Sequence, residues 1–232
     1  MLSFSDAQLN AWLVSFVWPL ARVLGMLMVA PVFAHASMPN RVKVGLGIFI
    51  VLLLAPTLPP LPAVELASYY GLFILAQQIL VGAAIGFVMR LVFSGAEMAG
   101  ELMGLQIGLG FASFFDPNSE GNTLVVGRLM GLIAALVFLA SGAHLHLIAA
   151  LADSFRSLPI SAAPLAAGGF MALARAGGMI FAIALQLALP LIAVLLVVNL
   201  ALGILTRSAP QLNIFAIGFP LTLGVGLIAL DL

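Results

Sequence analysis

Charge and cysteine are what this sequence has least of. Of 232 residues, eight are Lys or Arg, eight are Asp or Glu, and none is Cys. The missing cysteine excludes disulfides and thiolate metal sites and leaves the redox compartment open. The cancelling charges leave no basic face for nucleic acid. Charged residues make up 7% of the chain, against about 25% in a soluble domain. Hydrophobic residues make up 64%. A globule of this size has no room to hide so much apolar surface, so the chain takes lipid or other apolar helices as its solvent. No Lys or Arg precedes Arg22, so the N-terminus does not read as a cleaved signal. No polar linker separates two halves, and residues 1–232 read as a single helical domain. The sequence reaches Leu232 still within an apolar run, which reads as an incomplete C-terminus.

What is present is a series of long charge-free runs. Val44–Val64, Leu66–Met89, Leu129–Ala152, Ala176–Thr206 and Ser208–Leu230 contain no Asp, Glu, Lys or Arg. A first segment, near Leu9–Phe33, is apolar but holds Pro19 and Arg22. A helix needs about 20 apolar residues to span a bilayer. The runs do not alternate at period two as barrel strands do, so helices are expected. Ala176–Thr206 would extend roughly 46 Å at 1.5 Å per residue, beyond a hydrocarbon core of about 30 Å. That run must tilt, kink at Pro190 or continue against protein, and several helices are expected to be broken at Pro19, Pro56, Pro190 or Pro220. The expected fold class is all-α: a polytopic membrane protein of kinked helices and helical hairpins assembled with partner subunits. Placing Arg41, Lys43, Arg90, Arg128 and Arg207 on the cytoplasmic side is self-consistent and leaves the N-terminus outside.

The middle of the chain carries the most specific pattern. Gly100, Gly104 and Gly108 stand four apart, a spacing that lets another backbone approach closely. Gly82 with Gly86 and Gly127 with Gly131 repeat it. The spacing alone leaves open whether the helix met is in this subunit or in a partner. Glu97 and Glu101 share a helix face, and Arg90 lies near it. Ionisable groups in an apolar chain are costly and usually paired. They read as an ion-pair patch fixing helix contacts, as a segment at the membrane edge, or as a proton or cation relay.

Asp116-Pro117 and Gly121-Asn122 are turn formers, so residues 111–122 read as a loop. That loop also holds Phe111, Phe114 and Phe115, with Asn118 beyond the turn. Such aromatics anchor a loop into a core, or close a pore by excluding water. His144 and His146 are about 200° apart round a helix and cannot share one face as metal ligands. No Gly-x-Ser-x-Gly elbow and no Walker or dinucleotide glycine motif occurs. No catalytic set, cofactor site or metal site is expected.

Four blocks resemble the FliR family of flagellar export-gate proteins. They are Pro39-Asn-Arg-Val-Lys-Val-Gly-Leu46; Gly100–Gly110 continued by Phe111-Ala-Ser-Phe-Phe-Asp-Pro117; Gly142-Ala-His-Leu-His-Leu147 with Asp153-Ser-Phe155; and Ala209-Pro-Gln-Leu-Asn-Ile-Phe215 with Gly218-Phe-Pro-Leu221. The blocks span nearly the whole chain. The family's far C-terminal portion has no counterpart here. The resemblance implies a membrane component that assembles with FliP and FliQ and other export-apparatus proteins. It implies a pore for unfolded substrates across the bacterial inner membrane, in the flagellar basal body. It also implies that Phe111–Asn122 plugs the closed pore. The injectisome counterpart of the gate is similar. A coupled ion transporter using Arg90, Glu97 and Glu101 is the competing class, but it calls for inverted repeats that the sequence lacks.

Overall fold

Apolar residues that cannot reach water fold here as helices. The structure, a computed structural model, describes residues 6–62, 64–111, 125–209 and 214–230. All regular structure among them is helical. In order it is α1 (Asp6–Val29), α2 (Asn40–Leu54), α3 (Tyr69–Ile107), α4 (Val125–Ala140), α5 (Ala143–Ser157), α6 (Ala167–Ala176), α7 (Met179–Ser208) and α8 (Ile214–Leu230). Short 3-10 turns lie at Ala55–Thr57 and Leu109–Phe111. Among the described residues, four stretches are long and apolar enough to cross a membrane: Asn10–Val29, Asn40–Thr57, Tyr69–Ile107 and Ala167–Ser208. Taken as one broken span, α4 and α5 supply a fifth.

The breaks differ from those expected. α2 does give way to a 3-10 turn at Pro56. At Pro19, Pro190 and Pro220, however, α1, α7 and α8 continue through the proline. An apolar helix tolerates the lost hydrogen bond where neighbouring groups re-satisfy the freed carbonyl. Glycine does the breaking instead. The run Leu129–Ala152 divides at Ser141-Gly142, where Gly142 adopts φ 69°. α3 stops at Ile107 because Gly108 adopts φ 100°, a left-handed conformation that terminates helices. The charges do not interrupt α3. The helix runs on past Arg90, Glu97 and Glu101, and its 39 residues give about 58 Å of length. Between α1 and α2 the chain turns through Val32 at φ 70°, a strained value for a β-branched residue.

The chain divides into two compact units. Unit one comprises residues 1–91 and 137–177; unit two comprises 92–136 and 178–232. In unit one, Trp18, Val23, Met26 and Leu27 of α1 are buried with Ile74 of α3 and with Leu151 and Phe155 of α5. α1 and α3 meet backbone to backbone. A Cβ on Gly82 would run into the Arg22 carbonyl oxygen, and one on Gly86 would lie 2.7 Å from the Met26 oxygen. A Cβ on Gly25 would lie 2.5 Å from the Ile79 oxygen. Asn10 ties the start of α1 to the α2–α3 connection, donating to the Val64 carbonyl at 3.3 Å and accepting from the Leu66 N–H at 3.1 Å.

Unit two is built from small and aliphatic side chains. Ala99, Met103 and Ile107 of α3 are buried with Val126 of α4 and with Ala184, Ala188, Leu191 and Leu195 of α7. α8 packs on α7. A Cβ on Gly226 would press on the Ile107 side chain at 2.5 Å, so α8 also lies close to the end of α3.

Candidate functional site

The most polar point in the interior is Arg22, which is 1% exposed. An arginine in an apolar helix must find acceptors, because its hydration is lost. Arg22 finds them on two other helices and the segment after α5. Nε donates to Gln78 Oε1 at 2.8 Å, and Nη2 donates to the same oxygen at 2.5 Å. Nη1 donates to the Ser154 carbonyl at 2.8 Å and to Ser154 Oγ at 3.1 Å. Nη2 also donates to the Leu158 carbonyl at 2.8 Å. Below the guanidinium lies the Phe155 ring, with its centroid 4.3 Å from Cζ, a cation–π arrangement.

None of these partners is acidic. The charge is met by neutral dipoles and an aromatic face. Guanidinium does not release its proton in proteins, so this is a clamp and not a proton relay. It joins α1, α3 and α5 across sequence separations of 56 and 132 residues. The neighbouring Gln77 extends it, donating to the Ala163 carbonyl at 3.0 Å. Both glutamines are buried. Sequence reasoning placed Arg22 in the first segment and gave it no partner. The signal for the rest was the adjacent pair Gln77-Gln78 within a charge-free run.

The glycine and carboxylate residues read from the sequence fall mainly in unit two. A Cβ on Gly100 would lie 2.5 Å from the Val126 oxygen and 2.7 Å from Gly127 Cα, so α3 touches α4 there within one chain. Gly104 is buried. Gly108 lies just past the helix end. On α4, Gly127 and Gly131 are notches for the carboxylate side chains: a Cβ there would lie 3.0 Å from Glu101 Cγ and 3.0 Å from Glu97 Cγ, respectively. Glu97 is exposed and Glu101 half-buried. Arg90, in unit one, is exposed. Phe111 ends the 3-10 turn after α3. Phe114, Phe115, Asp116, Pro117 and Asn118 lie outside the described residues, as does Pro210–Asn213. His144 lies against Phe138, with ring centroids 6.3 Å apart, and His146 is exposed.

Similarity to known proteins covers almost the entire length. Residues 13–232 match the family described as bacterial export proteins, family 1. The chain is 50% identical over 232 residues to the flagellar biosynthetic protein FliR of Pectobacterium carotovorum subsp. carotovorum, spanning 100% of this chain and 88% of that protein. Against the flagellar biosynthetic protein FliR of Escherichia coli (strain K12) the identity is 48% over 227 residues, spanning 98% and 87%. Against that of Bacillus subtilis (strain 168) it is 28% over 219 residues, spanning 93% and 84%.

Proposed function

This chain belongs to the FliR family of bacterial export proteins, and from that premise we propose that it is a subunit of a flagellar type III export gate. In this reading it assembles with FliP- and FliQ-type subunits, and with other export-apparatus proteins, in the bacterial inner membrane. The assembly forms a pore through which unfolded proteins leave the cytoplasm. No bond is made or broken in substrate, so no catalytic group is required.

One observation carries the multi-subunit part of the reading. α7 has 30 residues, about 45 Å of helix, against a hydrocarbon core of about 30 Å. Along it Leu196, Leu200 and Ile204 stand four apart and are 63%, 65% and 62% exposed. Lipid covers only part of such a length. The remainder needs apolar protein, and helices of neighbouring subunits supply it.

The loop Phe111–Asn122 is the proposed plug of the resting pore. An apolar constriction excludes water and ions by dewetting, yet yields to a passing chain without breaking strong bonds. Two measurements test the function. Extraction of the native protein in mild detergent is expected to yield a stable complex with several copies of helical partners. A lone monomer that moves ions in vesicles would replace the gate with a transporter. Replacing Phe114 and Phe115 by Ser is expected to raise small-solute leakage through an assembled complex. An assembled variant as tight as the parent would make the loop a structural anchor.

A further inference from the structure

Unit one contains a groove that borders the clamp at Ser154 and Leu158. Its volume is about 630 Å³, in the range of small-ligand sites. One wall is α3 from Leu80 to Val88, and the other is α6, through Gly169, Phe170 and Leu173. Ser154 and Leu158 border it from α5 and the residues after it. Ser154 brings the only side-chain polar atom to the lining. Its hydroxyl is already engaged, donating to the Leu151 carbonyl at 2.6 Å and accepting from Arg22. The body of any ligand here is therefore apolar.

Charge orients that ligand. At the Ser154 end the Arg22 guanidinium has all five N–H groups directed at Gln78, Ser154 and Leu158. No donor remains for a headgroup. On the α3 wall Arg90 stands three residues past Phe87, hence on the same helix face, and is exposed. It makes no hydrogen bond or ion pair among the described residues. Residues 66–96 and 154–177, which include both walls, contain Arg90, Arg156 and Arg175 but no Asp or Glu. The acids that flank these segments in sequence are Glu65, Glu97 and Asp153. An apolar trough in a membrane helix bundle, with basic and acid-free walls, fits an amphiphile with an anionic head.

We infer that this groove binds one acyl chain of an anionic phospholipid, with the lipid phosphate at Arg90. The site depends on the membrane location of the chain and not on the export gate.

The test uses the complex as extracted, reconstituted in nanodiscs of equal phosphatidylglycerol and phosphatidylcholine, with retained lipid read by native mass spectrometry. The parent is expected to retain phosphatidylglycerol several-fold over phosphatidylcholine. Arg90→Gln brings the two toward parity. Gly169→Leu removes retained lipid of both kinds; a Cβ there meets nothing within 4 Å, so the fold accepts the side chain. A thermal melt of each variant confirms folding. A parent without headgroup preference, or a folded Gly169→Leu variant that keeps its lipid, overturns the proposal. A photo-reactive residue at Phe170 decides the occupant. A lipid adduct supports the site, and an adduct to a partner subunit assigns the groove to protein and overturns it.

Discussion

The two units solve the same packing problem with different chemistry. Unit one closes around a buried cation, Arg22, held by named acceptors on α3 and α5. Unit two closes around Ala99, Ala184, Ala188 and aliphatic neighbours, with its carboxylate side chains seated against glycine notches on α4. A guanidinium that must satisfy five N–H groups accepts one arrangement. A buried charge is weak evidence for stability, and its best-attested contribution is to fix register. Individual glycines differ too, although Gly100 in unit two also opposes backbone, that of α4. In unit one Gly82 and Gly86 oppose backbone atoms of α1, whereas Gly131 in unit two opposes the end of a flexible side chain.

Removing the cation is expected to have the largest effect. Arg22→Ala leaves Gln78, Ser154 and the Leu158 carbonyl without their donor inside an apolar interior. Each buried acceptor left unsatisfied costs about 1–3 kcal/mol. The variant is expected to lose protease resistance in unit one and to abolish motility. Arg22→Lys keeps the charge but not the fork of donors, and is expected to fall between. A stable, motile Arg22→Ala strain would remove the distinction between the units.

A pair of single-methyl additions sharpens the glycine comparison. Gly82→Ala forces α1 and α3 apart because its Cβ meets the Arg22 backbone, at a cost of about 1–3 kcal/mol. Gly131→Ala meets only Glu97 Cγ and Oε1 at 3.0 Å, and the exposed carboxylate swings away. That change is expected to stay within about 0.5 kcal/mol. Thermal melts of the purified complex compare the two directly, and equal shifts would contradict the geometry.

The smallest expected effect lies in the α1–α2 turn. Val32→Gly relieves the left-handed strain, which costs about 1–2 kcal/mol in a residue with a Cβ, and gives back part of the gain through chain entropy. A slightly higher melting temperature is expected. A lower one would mean that the half-buried Val32 side chain contributes more than the strain removes.

Much of the helical plan was legible in composition and charge spacing. The runs Leu66–Met89 and Ala176–Thr206 lie almost wholly inside α3 and α7. Their ends are not legible, because charge is no boundary here: α3 carries Arg90, Glu97 and Glu101 in its interior. Within these apolar helices proline is a weaker breaker than glycine in the left-handed region at Gly108 and Gly142. The Gly100 spacing identified a close helix approach but not which helix was approached. The clamp was the least legible feature. Its members are 56 and 132 residues apart, and glutamine and serine leave no mark on a hydropathy pattern.

The length of α3 also bears on how the protein is made. The insertion machinery hands a segment to lipid on the strength of about 20 apolar residues, and α3 runs for 39 residues, polar ones included, in one unbroken helix. Whatever part lipid accepts, the surplus turns, with Tyr69, Leu105 and their neighbours outward, await apolar cover. A copy synthesised ahead of its partners is thus an orphan with a sticky flank, open to membrane proteases. Its abundance in the cell should follow the supply of those partners more closely than the rate of its own translation.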